Sequence, residues 1–505
     1  MYISPVLPLL TLIAAVSPLL TFAHLWQIKE WRWDRLREHL LRGGFFRPIF
    51  GVTRPAIVGA CIYIGIIGFK PWVEISLATL ILLNIFQIIS RKQPRPVWTQ
   101  KAVALCTLSI LLTLGAAAAS SHSAFLPFLP LFQPFFAAAS WLILFPLDRT
   151  LKKRIIRRAR ALREAHPDLT VIGITGSVGK TTTKSLLAYI LADRSPLVTP
   201  EYMNAEIGVA QWLIRALAAE PADSRRTFIV EMGAYRRGEI GLLCSFVRPT
   251  MGIVTEVGTQ HRALFGSDEN IRAAKGELVV ALPQDGRAFL NGDSARCREL
   301  ATRAPCPVTI AGTGGPTDIE AFDIEETGNG IVFRVSETAF HVPLHGTHNV
   351  VNVLLAVAVA ERLGMPLPAI AGKLRSFAPP HHTFAVREER GVTILDDTHN
   401  SSPMSFKAAI AWARARPEEP KTLLASGIIE LGEIRDRVHA ELGTEAAGVF
   451  DRVIFTSKET GSQFARGAGA PVEYFSADTA SVPRGSLLVC AGRVGERAIE
   501  RILPQ

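Results

Sequence analysis

Cysteine is scarce in this chain of 505 residues. The six present (Cys61, Cys106, Cys244, Cys297, Cys306 and Cys490) show no C-x-x-C spacing, which argues against both a zinc site and a disulfide framework. Two of them fall in apolar runs, where a thiol packs as a small hydrophobe. The usage points to a reducing compartment for the second part of the chain. Carboxylates are scarce at the other end. Glu74 is the lone acidic residue in the apolar runs before Leu147, so the inward-facing acids of an ion pump are missing. No L-S-G-G-Q signature of a transport ATPase occurs, and no nucleic-acid module accompanies the basic charge.

What is there divides in two. A net charge of +10 goes with a positive mean hydropathy. The chain to about Leu147 is Leu, Ile, Ala, Phe and Pro, whereas the rest has the composition of an ordinary α/β enzyme. The first part contains five apolar runs, Pro5–Trp26, Pro55–Phe69, Trp72–Ile89, Ala102–Ala119 and Phe125–Leu147. Several approach the ~20 residues a spanning helix needs, and five in series exclude a lone signal peptide. Arg and Lys crowd three connections: Lys29 to Arg54, Arg91 to Lys101, and "DRTLKKRIIRRARALR" from Asp148. The alternate connections, near Lys70 and Ser120–Ser123, carry a single positive charge. The positive-inside rule then puts the N-terminus outside and the large C-terminal part in the cytoplasm of a cell-membrane protein. "HLWQIKEWRWDRLREHLLRG" should lie along the inner interface, and the basic stretch Arg149–Arg163 against anionic lipid headgroups.

"VIGITGSVGKTTTKSLLAYIL" (Val171–Leu191) has the form of a phosphate-binding loop that lacks the usual first glycine. Ile174 holds that slot, and Gly176 is the nearer glycine. "LTVIGIT" suits a buried parallel strand, "GSVG" a turn, and Lys180 onwards a helix, which is the context such a loop requires. Thr175, Gly176, Ser177, Gly179, Lys180, Thr181 and Thr182 would then hold the phosphates of ATP. Lys180 would reach the β/γ-phosphates, and the Thr181 hydroxyl would coordinate Mg²⁺.

The T-G-x-x-G-K-T form and five later stretches together resemble the Mur ligases, the ATP-dependent amide ligases of peptidoglycan assembly. In order they are "NAEIGVAQWLI" from Asn204, "FIVEMGAYRRGEI" from Phe228, "VGTQHRALFGSDENIRAAKGEL" from Val257, "LHGTHNVVNVLLAVAVAERLG" from Leu344 and "ILDDTHNSSPMSFKAAI" from Ile394. The resemblance begins near Leu169 and runs to the end. Its Glu-x-Gly-Ala, Phe-Gly-Ser and Asp-Asp-x-x-Asn details are most like the branch that adds D-alanyl-D-alanine to a muramoyl tripeptide.

The resemblance implies a reaction in which ATP phosphorylates a carboxylate and an amine then attacks the acyl phosphate. Cations are needed where negative charge gathers. Glu231, at the end of an apolar strand, would hold Mg²⁺ at the C-terminal edge of a parallel sheet. His261 is implied as a second metal ligand, although a histidine after a strand also serves structure alone. Lys275 matches a lysine that carbon dioxide converts to a carbamate, an anionic ligand; unmodified, its cation would be repelled by Mg²⁺. Lys180, Lys275 and His261 are thus the implied catalytic groups. Asn349 matches an adenine contact and Asp397 a ribose contact, though both residue types also suit caps and turns. Asn204, Asn400 and Arg493 fall at implied substrate-binding positions.

Several positions depart from the family pattern. His382 in "APPHHTF" takes the slot of an arginine, and an imidazole cannot make a bidentate phosphate contact. "GII" (Gly427–Ile429) replaces Gly-Asp-Met, and "CAGR" (Cys490–Arg493) loses a lysine. The apolar segment stands where the family has a soluble domain for the uridine nucleotide. The expected acceptor is therefore lipid-linked or delivered at the inner membrane face, together with an amine donor. The expected architecture is a polytopic α-helical membrane domain (1–148), a basic linker (149–166), a P-loop Mur-ligase α/β central domain (167–378) and a smaller Rossmann-like α/β C-terminal domain (379–505). "SFAPPHH" is the expected hinge, and Ile319–Val342 a β-hairpin on the central domain. Rival readings are a synthase of another amide, such as a poly-γ-glutamate synthase of the same superfamily, and an ATPase coupled to transport. A third rival is a nucleotide-binding scaffold without catalysis.

Overall fold

The computed structural model describes residues 6–42, 49–69, 71–120, 122–221, 226–258, 262–380, 382–398, 401–428 and 431–505. The chain divides into two compact units, Met1–Lys153 and Arg154–Gln505.

The first unit is helical, with helices Val6–Ile28, Trp33–Arg42, Thr53–Ile66, Trp72–Ile89 and Gln100–Ala119 and the start of Gln133–Glu164. Among the described residues, Val6–Ile28, Trp72–Ile89 and Gln100–Ala119 are long and apolar enough to cross a membrane. That is three such helices where the sequence predicts five spans. The second apolar run forms a helix of only 14 residues, Thr53–Ile66, because the chain turns at Gly68 with φ of +99°. At 1.5 Å per residue such a helix covers about 21 Å, short of the ~30 Å of a hydrocarbon core. The fifth run does not stop at Leu147. Its first part, Phe125–Phe128, lies in a 3-10 helix, while from Gln133 it belongs to one helix of 32 residues, Gln133–Glu164, of which the basic stretch is the continuation. Arg, Lys, Ala and Leu all favour helix, so nothing in that stretch ends it.

Polar groups inside this unit bond from helix to helix. Ser109 Oγ lies 2.9 Å from Ser140 Oγ, and Asn84 Nδ2 donates to Ala14 O at 2.9 Å. The amphipathic helix Trp33–Arg42 buries Leu36 and Leu40, and Trp26 stacks on Trp141 at 4.9 Å. The outer faces carry exposed Ile66, Leu82, Ile89, Leu111 and Leu142.

The second unit holds two parallel sheets. Strands β1 (Thr170–Thr175), β2 (Leu197–Val198), β3 (Thr227–Glu231), β4 (Met251–Val254), β5 (Arg287–Asn291), β6 (Val308–Gly312) and β7 (Ile319–Glu320) form one, in the order β2-β3-β1-β4-β5-β6-β7. Side-chain alternation along these strands feeds two cores. Ile172, Ile174, Ile229 and Ile253 pack on one face, and Val171, Phe228, Val230 and Val254 on the other. Both faces are covered, which is why the strands read as unbroken apolar runs. With β1 between β3 and β4, their C-terminal ends lie side by side, the usual place for a ligand crevice.

The expected hairpin gains a third strand. Strands β8 (Phe322–Thr327), β9 (Gly330–Val335) and β10 (Thr338–Val342) make an antiparallel sheet in which Phe333 stacks on Phe340 at 5.2 Å. The second large sheet comprises β11 (Ala385–Glu389), β12 (Val392–Asp397), β13 (Lys421–Gly427), β14 (Arg452–Phe455), β15 (Glu473–Tyr474) and β16 (Leu487–Gly492). Its order is β11-β12-β16-β13-β14-β15, with β11 antiparallel and the rest parallel. Helix Pro403–Arg414 starts at a capping box of Ser402 and Ser405, with proline at its first position, so its entry beside β12 is fixed locally.

Candidate active site

The loop after β1 is built by close backbone approach. Gly176 has φ of +152°, and a Cβ on it would sit 2.0 Å from Thr255 Oγ1. Gly179 has φ of +82°, and a Cβ there would sit 2.2 Å from Asn352 Oδ1. Ser177 N donates to Glu256 O at 2.7 Å, and Gly258 N donates to Ser177 Oγ at 3.0 Å, tying the loop to the segment after β4. Helix Lys180–Ile190 begins at Gly179 with no side-chain cap, so its first-turn N–H groups remain open for an anion. Lys180 Nζ folds back on the loop, donating to Gly176 O at 2.8 Å and Ser177 O at 3.1 Å. Burial holds its ammonium below the ordinary lysine range, and the charge of Glu231 opposes that.

Glu231, the last residue of β3, is buried in a net of donors. Thr181 Oγ1 reaches its Oε2 at 3.2 Å, Asn204 Nδ2 its Oε1 at 3.1 Å, and Lys184 Nζ its Oε2 at 3.0 Å. Burial alone would raise this carboxyl, but Lys184 and Lys180 outweigh it and keep the group below the usual carboxylate range. An ionised carboxylate beside a threonine hydroxyl at a phosphate loop is a hard oxygen donor set of the kind Mg²⁺ takes. Lys275, on helix Asp268–Val280, lines the same cleft, with its ammonium 5.8 Å from the centre of the Phe265 ring. Burial, with repulsion from Lys180, pushes its pKa down to about 7.

The opposite wall comes from later in the chain. Asn349 opens helix Asn349–Arg362; its Nδ2 donates to His345 O at 2.8 Å, and its Oδ1 accepts from Asn352 Nδ2 at 2.9 Å. Asn352 in turn accepts from Thr183 Oγ1 at 3.4 Å, so the amides lock this helix to the phosphate-loop helix. Asp397, at the end of β12, accepts from Ser401 Oγ at 2.8 Å, and burial raises its pKa to about 6. Lys180, Thr181, Glu231, Lys275, Asn349 and Asp397 thus line one cleft between the two large sheets.

Residues 174–360 match the model of the Mur ligase middle domain. The UDP-N-acetylmuramoyl-tripeptide–D-alanyl-D-alanine ligase of Synechocystis sp. is 31% identical over 338 residues, covering 66% of this chain and 71% of that protein. The Escherichia coli (strain K12) protein of the same name is 30% identical over 383 residues, covering 71% of this chain and 81% of its own length. The chain belongs to the Mur ligase family. A crystal structure of MurF ligase from Thermotoga maritima in complex with ADP superposes with a TM-score of 0.59 at 26% identity, covering 69% of this chain and 82% of that one. Like the family, this ligase is ATP-dependent and forms C–N bonds.

Within this Mur ligase the cleft gathers Ser177, Gly179, Thr182 and Asn204 with the six residues above. Four described positions lie outside the lining, the first being Gly176, whose carbonyl accepts from Lys180. Thr175 does not face the cleft: it is fully buried, and its hydroxyl donates to Met232 O at 2.9 Å, tying β1 to the end of β3. His382 does not line the cleft either. A left-handed backbone (φ +60°) turns it onto Asp396, with Nδ1 2.9 Å from Oδ2. Arg493 is exposed just beyond the turn at Gly492 and lies outside the cleft lining. Cys490, in a departing segment, is fully buried in β16. His261 and Asn400 lie outside the described residues.

In and behind the cleft lie residues that motif reading passes over. Lys184 lies three residues after Thr181 on one helical face, a spacing that brings it to Glu231. Asn352 follows Asn349 by the same spacing. Glu256 accepts from Ser294 Oγ at 2.9 Å and is raised by burial. Only its place after an apolar strand marked it.

Proposed function

We propose that this Mur ligase is anchored in the cell membrane with its catalytic part in the cytoplasm, and that it joins D-alanyl-D-alanine to the carboxylate of a muramoyl peptide. The observation that carries the chemistry is the meeting of Thr181 and Glu231 beside Lys180, with buried Lys275 in the same cleft. The loop N–H groups and Lys180 would bind the ATP phosphates, the ammonium leaving its two loop carbonyls for the β/γ-oxygens. Thr181 Oγ1 and the Glu231 carboxylate would hold Mg²⁺, which supplies positive charge where the γ-phosphate meets the acceptor carboxylate. Asn349 retains one amide hydrogen and a lone pair for adenine, and Asp397 retains acceptor capacity for ribose hydroxyls. The amine then attacks the acyl phosphate carbon and phosphate leaves. Carbamylation of Lys275 would turn a buried cation into an anionic ligand beside Thr181 and Glu231, and His261 is the further ligand this reading adds.

The anchor rests on the three long apolar helices and the exposed apolar residues around the first unit. The same feature favours an acceptor that is lipid-linked or handed over at the inner membrane face, the basic end of helix Gln133–Glu164 meeting anionic headgroups. His382 on Asp396 favours the other branch, a ligase making a different amide, because the nucleotide then lacks the arginine of the family pattern.

The test is phosphate release from ATP by detergent-solubilised protein, given UDP-muramoyl tripeptide and D-alanyl-D-alanine together and singly. Release that needs both, and is lost in Lys180→Ala, supports the full reading. Release only with a lipid-linked muramoyl peptide would assign the acceptor to the membrane. No release with either acceptor, ATP binding being intact, would sink D-alanyl-D-alanine addition in favour of another amide.

A further inference from the structure

Arg54, by sequence one of many flanking cations, is drawn into the first unit. It sits at the start of helix Thr53–Ile66, where its Nη2 donates to Ser17 Oγ of helix Val6–Ile28 at 2.7 Å and to Gln87 Oε1 of helix Trp72–Ile89 at 2.9 Å. The cluster is closed by Gln93, which is buried and whose Nε2 donates to Ser17 O at 3.1 Å and Thr21 Oγ1 at 3.2 Å. Every acceptor here is neutral. Among the described residues, no carboxylate lies within ion-pair distance of Arg54, its Nη1 donates no hydrogen bond, and its buried Nε has no partner.

That arrangement is costly for a scaffold. A guanidinium carries five donors and a fixed charge, and an apolar helical unit normally pairs such a group or lets it reach water. Removing charge from a site of this kind is usually neutral or stabilising, so packing alone gives no reason for an arginine where a glutamine would bridge Ser17 and Gln87. An anion supplies the reason. The Nε–H is buried, but the Nη1–H groups have no partner among the described residues and suit the oxygens of a phosphate, an anion that a guanidinium binds well. Exposed Arg91, Lys92 and Arg95 flank Gln93 in the chain, and Arg91 N and Lys92 N cap the end of helix Trp72–Ile89 on Ile88 O and Gln87 O. Further positive charge thus gathers at the same end of that helix. Apolar residues surround the remainder of the unit, so the anion's attached chain must itself be apolar.

We infer that Arg54, with Ser17 and Gln87 orienting it, binds the phosphate of a lipid at the basic end of the first unit. The ligand class is a lipid phosphate ester, from either a phosphoglycerolipid or a polyprenyl phosphate. This rests on the reading that the unit lies in a bilayer.

The experiment uses the full chain in a phosphate-free maltoside detergent. Phosphatidylglycerol, a polyprenyl monophosphate, diacylglycerol and inorganic phosphate are each added, with bound lipid read by native mass spectrometry and melting temperature read alongside. Wild type should bind one or both phosphate lipids about tenfold more tightly than Arg54→Gln, the size of one charge-assisted contact. Ser17→Ala, which keeps the cation, should retain most of the binding, and diacylglycerol should not distinguish wild type from Arg54→Gln. The lipid that shows the difference identifies the source. Equal binding of both phosphate lipids by wild type and a normally melting Arg54→Gln overturns the inference. So does inorganic phosphate binding as tightly as either lipid, which would make this a free-anion site. Release of the protein from membranes by alkaline carbonate would instead sink the bilayer reading, and with it this site.

Discussion

Lys184 Nζ lies 3.0 Å from Glu231 Oε2, and both side chains are almost wholly buried. The carboxylate proposed to hold Mg²⁺ is therefore oriented by a lysine on the phosphate-loop helix itself, which also donates to Thr199 O at 3.1 Å. The phosphate-loop helix, the metal-site carboxylate and the residue that follows β2 are joined through that one ammonium. Lys184→Met would leave Glu231 buried without its nearest counter-charge, a loss of about 3–5 kcal/mol in such pairs. The variant should melt well below wild type, with Mg²⁺ and ATP together narrowing the gap because they return positive charge to Glu231. Melting curves with and without Mg²⁺-ATP check this, and coincident curves for the two proteins would remove Lys184 from the account.

Lys180 should behave in the opposite way. Its ammonium is buried, its hydrogen bonds are to two carbonyls of its own loop, and burial already disfavours its charge. Lys180→Ala should therefore leave the melting temperature close to wild type while lowering ATP turnover by at least about a hundredfold, the scale of losing a charge on the transferring phosphoryl group. A large fall in melting temperature would mean that the lysine holds the loop rather than the phosphate.

Contiguous sequence encoded the loop well, because strand, glycine turn and helix follow each other and their geometry is local. Glu231 was legible for a related reason: it ends an apolar strand, and parallel order carries such ends to one edge. The misplaced residues fail where a partner from elsewhere decides. Nothing near Thr175 announces that its hydroxyl belongs to Met232 O, 57 positions on. His382 was placed by its slot in a motif, but a left-handed backbone and Asp396 reassign it. The basic stretch after Leu147 was separated by composition, whereas helix propensity takes no account of the change from apolar to charged, so one helix runs through. Arg54 shows the same limit, since counting charge by connection cannot show which cation turns inward.

Lys275 gives a chemical prediction. Carbon dioxide adds to a neutral amine, and the burial of this side chain beside Lys180 disfavours its ammonium form. Wild type equilibrated with ¹³C-bicarbonate should show a carbamate carbon that is missing from Lys275→Arg, and purging carbon dioxide should lower turnover reversibly. Full activity without bicarbonate and no labelled carbon would leave Lys275 as an unmodified amine in the cleft.

Asp397 predicts a pH dependence whose sign can be stated. Burial raises its pKa from 3.8 to about 6, so the folded protein holds this proton more tightly than the unfolded chain does. The stability it contributes is complete below 3.8 and is lost as pH rises through about 6. Asp397→Asn should accordingly melt several degrees above wild type near pH 8 and converge with it near pH 4. Nucleotide binding should respond the other way. Wild type should bind ATP more weakly as pH falls through about 6 and the carboxylate is protonated, while Asp397→Asn should bind weakly at every pH. Isothermal titration across that range checks both arms, and a variant that binds ATP like wild type would remove Asp397 from the ribose contact.

The last prediction concerns the shortened loop itself. Gly179 is held at φ +82°, and any Cβ there would meet Asn352 Oδ1 at 2.2 Å. Asn352 cannot simply move aside, because it holds both Thr183 and Asn349. Gly179→Ala should therefore shift the start of helix Lys180–Ile190 and the Asn349 amide together, costing ATP affinity from both walls of the cleft. Gly364→Ala is a matched control, with φ +84° and nothing within 4 Å of the added carbon. Both substitutions pay the same backbone strain, about 1–2 kcal/mol. If nucleotide affinity falls about tenfold or more in Gly179→Ala and stays near wild type in Gly364→Ala, the close approach to Asn352 is what shapes the phosphate grip. Equal affinities would mean that backbone strain, not the amide contact, is all the glycine supplies.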